Sequence, residues 1–180
     1  MLRKISNVSP AHIEELREFC QQMIPHMTHD VSNYSPNRKR IWLFHEVNLK
    51  TSEISLGYFD QRLWAFCQKV YPGCNIGLMS YGGKGLDSDG LIGLHRDHSY
   101  SQPMPQARFA HARTVNLGDS IFGYDLNRQG GEVRQYHLKD GEIIEFNCKH
   151  RHSLLTINSE IRFGINLWKL NPEKGFQPLF

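Results

Sequence analysis

Two stretches of the chain carry apolar residues at helical spacing. Ile13, Leu16, Phe19, Cys20, Met23 and Ile24 recur at that spacing behind Ser9-Pro10. Serine is a good N-cap and proline is preorganised for a first helical turn, so a helix is predicted here that lays one face on the body of the protein. Residues 58–71 repeat the spacing and stop at Pro72-Gly73, predicting a second helix. Beyond it the period changes to two. Asn75–Tyr81, Leu91–Asp97, Ala112–Leu117, Ser120–Leu126, Glu132–Leu138, Glu142–Asn147, His152–Asn158 and Ile161–Lys169 read as short strands parted by glycine-, asparagine- and aspartate-rich turns. In the last of them Ile161, Phe163, Ile165 and Leu167 alternate with Arg162, Gly164, Asn166 and Trp168. That predicts one packed face, with Arg162 pointing away from it. Between the helices, Asn33–Arg40 reads as a basic, turn-rich loop ahead of apolar Ile41–Phe44. Helices followed by a run of strands predict a mainly β (α+β) fold whose strands form a sandwich or barrel.

Composition narrows this picture only a little. At 180 residues and 39% apolar content the chain is expected to be one domain with a sizeable core. No apolar run is long enough for a membrane span, and Met1–Ser6 lacks the apolar core of a secretory signal, so a cytoplasmic protein with no membrane partner is expected. Cys20, Cys67, Cys74 and Cys148 have neither metal-type nor disulfide-framework spacing and are expected to be buried, inert thiols. A net charge of +3 is compatible with a nucleic-acid partner without demonstrating one. The oligomeric state is not legible.

The chemistry concentrates in Leu94-His-Arg-Asp-His98 and Lys149-His-Arg-His-Ser153. Side chains two apart on a strand share a face, so His95 and Asp97 can present an imidazole nitrogen and a carboxylate oxygen to one point. His152 from another strand would complete a two-histidine, one-carboxylate facial triad. Such a triad leaves coordination positions open and suits non-haem Fe(II). His150 shares the face of His152 in a regular strand and competes for that role. If the face carrying Arg162 lines a lumen, the guanidinium there needs an anion, because an unpaired buried charge is too costly. A cupin-like hydrolase or isomerase could use the same ligands with another metal, but nothing in it would require Arg162.

Together these residues resemble the Fe(II)/2-oxoglutarate-dependent dioxygenases, and within them the AlkB-like branch. The family pattern of His-x-Asp, a distal His and a following Arg is met by His95, Asp97, His152 and Arg162. The AlkB-like character comes from Gly77-Leu-Met-Ser-Tyr-Gly-Gly83, Arg113-Thr-Val-Asn-Leu-Gly118 and Gly141-Glu-Ile-Ile-Glu-Phe146. The resemblance implies a double-stranded β-helix, or jelly roll, buttressed by N-terminal helices. Residues 1–57 would hold the helix and a substrate lid, 58–169 the catalytic core and 170–180 a C-terminal tail. It implies Fe(II) held by His95, Asp97 and His152, preferred over His150 because Ser153-Leu154-Leu155 follows as in the family motif. It further implies 2-oxoglutarate anchored by Arg162 and touched by Tyr81, with O2 as the oxidant. Decarboxylation to succinate would drive hydroxylation of a C–H bond or oxidative demethylation of an N-methyl group. A nucleic acid leads as substrate, with Arg38, Lys39 and Arg40 on its phosphates; a protein or a small molecule is the alternative. Met79, Gly164 and Trp168 depart from the branch, which carries Asn, Asn and Arg there.

Overall fold

A computed structural model describes residues 1–48, 51, 53–97 and 111–170. In chain order the elements are β1 (Arg3–Asn7), α1 (Pro10–Met23), a 3-10 turn (Ile24–His26), β2 (Thr28–His29), β3 (Lys39–Leu43), β4 (His45–Val47), β5 (Ile54–Leu56) and α2 (Gln61–Val70). Then follow β6 (Ile76–Gly82), β7 (Ile92–His95), β8 (His111–Leu117), β9 (Ser120–Asp125), β10 (Val133–Leu138), β11 (Glu142–Asn147), β12 (His152–Ile157) and β13 (Arg162–Trp168).

Both predicted helices form. Ser9 precedes α1 in extended conformation, but its hydroxyl engages His12 Nδ1 at 2.6 Å rather than a helix amide. Helix α2 starts later than the periodicity alone suggests because Asp60 caps it, accepting from the Leu63 amide at 2.9 Å. It ends where Pro72-Gly73 turns the chain, with Gly73 at φ 83°.

The strands form a large sheet in the order β1-β11-β8-β13-β6-β3-β2 and a small one in the order β10-β9-β12-β7, antiparallel at every pairing. A separate β4–β5 hairpin flanks them. Apolar positions on one face of the large sheet, among them Met79, Tyr81, Val115, Leu117, Phe163, Ile165 and Leu167, pack with Leu16, Cys20, Met23, Leu63 and Cys67 of the two helices. Its other face meets the small sheet through Ala112, Ile144, Phe146, Phe122, Tyr124 and Leu154. The layers are therefore helices, large sheet and small sheet: the strand run forms the expected sandwich, and it is the jelly roll that the resemblance implied. The four cysteines are free and buried, and burial pushes the Cys20 and Cys74 thiols up to about 12.

Five strands, β1 to β5, were not anticipated. β1 is exposed throughout and carries no apolar alternation; it is held to β11 by pairing and by Arg3, whose guanidinium meets Glu145 at 2.6 Å. β2, β4 and β5 are two or three residues long, too short for a period to register. Lys39 and Arg40, expected in a loop, begin β3. Among the described residues no helix is long and apolar enough to cross a membrane. The tail beyond Leu170 lies outside the described residues.

Candidate metal and anion site

Between the two sheets lies a cavity of about 690 Å3. Trp42, Leu78, Ser80, Thr114, Arg162, Asn166 and Trp168 line it from the large sheet, and Ile92, His95, Phe122, His152 and Leu154 from the small one. The segment from Asp30 to Tyr34, with Arg38, closes one side. This segment is itself fixed. Asp30 and Arg38 are joined by backbone and side chain, the Tyr34 carbonyl accepts from the Gly93 amide at 2.7 Å, and the Asn37 carbonyl accepts from the Asp89 amide at 2.9 Å. The Tyr34 ring then sits 5.7 Å from the His95 ring.

His95, Asp97 and His152 bring one ligand atom each to within 4.8 Å of one another and could hold a metal ion. Strand pairing places His152 directly opposite His95. The expectation that His95 and Asp97 share a strand face is corrected: β7 ends at His95, and Asp97 lies in the bend beyond. Asp97 reaches the same point because its amide donates to the Cys148 carbonyl at 3.2 Å, turning the carboxylate back toward the imidazoles. Its Oδ1 lies 3.2 Å from His95 Nε2 and 3.1 Å from His152 Nε2. Each Nδ1 faces a backbone carbonyl, His95 that of Gly93 at 2.8 Å and His152 that of His150 at 2.9 Å. A carbonyl only accepts, so each Nδ1 carries a proton and each Nε2 is left to face the carboxylate. Three acceptor atoms so arranged require protons or a cation between them. Burial opposes the charge on Asp97, but the charges and hydrogen bonds of His152 and His95 outweigh it and hold the carboxyl well below the usual range. Burial likewise lowers His152, but the Asp97 charge together with the hydrogen bonds to Asp97 and to the His150 carbonyl outweighs it, so its net shift is upward. Phe146 and Phe122 pack on the His152 ring at 4.7 and 6.0 Å and keep it in one orientation.

Arg162 opens β13 on the cavity face and is only 5% exposed. Its Nε donates to Asn116 Oδ1 at 2.9 Å, and it forms no ion pair among the described residues. Burial and then the charge of Arg38 pull it down to about 9, so it stays cationic at neutral pH while an anion would relieve both penalties. The guanidinium folds back over Gly164: a Cβ there would meet Arg162 Nη1 at 2.4 Å. The space that Arg162 occupies thus accounts for Gly164, one of the departures from the AlkB-like pattern.

Of the other candidates among the described residues, Arg38 lines the cavity and Tyr81, Lys39, Arg40 and His150 do not. Tyr81 faces the helices, packs near Phe163 and donates its hydroxyl to Asp87. Met79 shares that face, whereas Leu78 and Ser80 face the cavity. The basic triplet is already partnered: Arg38 with Asp30, Lys39 with Asp87 at 2.6 Å, and Arg40 with Thr28 at 3.2 Å. His150 stacks on Tyr124 at 5.5 Å, and its Nδ1 engages the Asp125 carbonyl at 2.9 Å. His98 lies outside the described residues. Two residues went unassigned from sequence: Asn116, which holds Arg162, and Trp168, whose indole Nε1 donates to Asp97 Oδ2 at 2.9 Å. Asn116 lay in the AlkB-like stretch 113–118 and Trp168 stood out as a departure from the branch, but neither signal said what the side chain would hold.

No known sequence family and no curated relative matches the chain. Solved structures do. OsALKBH1 superposes with a TM-score of 0.67 at 10% identity, over 93% of this chain and 97% of that one. A prolyl hydroxylase from Trichoplax adhaerens, in complex with a hypoxia-inducible factor oxygen degradation domain peptide, gives 0.65 at 11%, over 96% and 84%. An oxidoreductase of the 2OG-Fe(II) oxygenase family from Burkholderia pseudomallei gives 0.57 at 16%, over 88% and 78%. The chain has the fold of the 2-oxoglutarate-dependent Fe(II) oxygenases, with an AlkB-like structure among its neighbours.

Proposed function

We propose that this chain is an Fe(II)- and 2-oxoglutarate-dependent dioxygenase that hydroxylates a substrate C–H bond or, at an N-methyl group, removes it by oxidation. The observation that carries this reading is a pairing on the wall of one cavity: three convergent acceptor atoms that call for a cation, and a buried arginine that calls for an anion. A metal-dependent hydrolase or isomerase would use the first and have no need of the second.

His95, Asp97 and His152 would hold the iron, which together with O2 supplies the oxidising chemistry that couples loss of carbon dioxide from 2-oxoglutarate to hydroxylation. The rest falls to the chain. Arg162, its plane fixed by Asn116, receives the far carboxylate of 2-oxoglutarate. Phe122 and Phe146, packed on His152, and Leu154 give the cavity apolar walls and would exclude water from the reacting atoms. Among substrates we place an N-methylated nucleic-acid base first, supported by the AlkB-like stretches around residues 77–83, 113–118 and 141–146. The pairing of Arg38, Lys39 and Arg40 with neighbours withdraws the phosphate contacts that would have strengthened it.

Succinate formed from 2-oxoglutarate by the purified protein tests the activity. Turnover should require Fe(II), stop on chelation and not return with Zn(II). A protein that binds iron and 2-oxoglutarate yet forms no succinate, alone or with methylated oligonucleotides, peptides or small-molecule extracts, would end the proposal. Formaldehyde release confined to the oligonucleotides would fix the substrate class.

A further inference from the structure

Asp97 is the one member of the triad that no strand holds. The ladder stops at His95, and the carboxylate is placed by two contacts: the amide bond to the Cys148 carbonyl and the indole N–H of Trp168. These divide the work. The amide sets where the backbone turns, while the indole engages Oδ2 and leaves Oδ1 to the two imidazoles. An indole nitrogen only donates, so Trp168 cannot itself ligate a metal; it can only occupy the oxygen it touches. The ring is well placed to act as a fixed donor. It comes from β13, which is flanked by β6 and β8 at the centre of the large sheet, and it packs 6.4 Å from the Trp42 ring. The two histidines belong to the small sheet and Asp97 follows its edge strand, so this bond ties the triad to the opposite sheet. β13 also carries Arg162 on the same face, which makes one strand the support for both the carboxylate and the anion-binding guanidinium.

We infer that Trp168 is a positioning residue that holds Asp97 as a one-oxygen ligand, keeping Oδ2 off the metal so that positions opposite the triad stay open to the co-substrate and O2. This rests on the metal site proposed above. It also assigns a task to the tryptophan that stands where the AlkB-like pattern has arginine: a neutral donor there can fix the carboxylate without adding a charge beside the metal.

The test is Co(II) binding to the metal-free protein, followed by absorption of the cobalt centre, with no turnover involved. Trp168→Phe keeps a ring and removes the donor, so Co(II) should bind about 10- to 100-fold more weakly, with a spectrum altered by the freed Oδ2. Trp168→Gln and Trp168→Met form a second pair of similar length, one with a donor and one without; only the glutamine variant should recover affinity and the wild-type spectrum. Circular dichroism verifies that each is folded, and the Gln/Met comparison decides the matter if Trp168→Phe is not. Wild-type affinity and spectrum in the Phe and Met variants would overturn the role of Trp168 and leave the metal site standing. Wild-type protein that binds no Co(II), or loses none in Asp97→Ala, would overturn the metal site itself.

Discussion

His152→Ala should lose iron and turnover together, whereas His150→Ala keeps most of both. The two histidines differ in what surrounds them. His152 is 4% exposed, lies directly across the ladder from His95 and brings Nε2 to 3.1 Å from the Asp97 carboxylate. His150 precedes the strand, stacks on Tyr124 and spends its Nδ1 on the Asp125 carbonyl. Loss of an outer-shell partner costs metal affinity about 10- to 100-fold, so loss of a ligand atom should cost more than that. His95→Ala and Asp97→Ala should behave as His152→Ala does. Iron content after dialysis, with succinate yield in parallel, checks the set. Full iron-dependent turnover in His152→Ala would remove His152 from the site.

The second large effect is expected at Arg162. Its guanidinium is buried, oriented by Asn116 and without an anionic partner among the described residues. Hydrogen bonds to charged groups contribute about 1.5–3 kcal/mol, so Arg162→Ala should weaken 2-oxoglutarate binding about ten- to a hundredfold or more while Co(II) or Fe(II) still binds at the triad. Arg162→Lys keeps the charge but not the planar fork and should fall between. Gly164→Ala is a gentler probe of the same contact, since the added methyl would displace the guanidinium that lies over it. Succinate formation against 2-oxoglutarate concentration gives the affinities. An alanine variant with wild-type affinity would make Arg162 a structural residue only.

β13 was legible because one of its faces is continuously apolar and the other is not; the alternation of Ile161, Phe163, Ile165 and Leu167 placed Arg162 on the cavity side correctly. β6 was legible as a strand but its facing was not, because all of its residues are buried. With polar and apolar positions buried alike, nothing in Gly77–Tyr81 says which face looks into the cavity, and a choice one residue out of phase turns every side chain to the other side. Tyr81 was assigned to the co-substrate for that reason, when Leu78 and Ser80 hold the cavity positions. The convergence of His95, Asp97 and His152 was readable, but the route to it was not: spacing suggested one strand face, and the structure uses a bend pinned by Cys148 and Trp168. Arg38 misled for a different reason. A basic run looks like a solvated loop, and its buried partner Asp30 is eight positions earlier, with no pattern to connect them. Trp168 had the opposite problem, since a tryptophan on a strand reads as packing and its donor finds a partner only once the two sheets face each other.

The most direct measurement is a crystal structure of the protein grown without oxygen in the presence of Mn(II), as an unreactive stand-in for Fe(II), and 2-oxoglutarate. The account predicts one metal ion held by Nε2 of His95, Nε2 of His152 and Oδ1 of Asp97, with the far carboxylate of 2-oxoglutarate on Arg162. A metal bound elsewhere in the chain, or a co-substrate whose far carboxylate rests on any other cation, would contradict it.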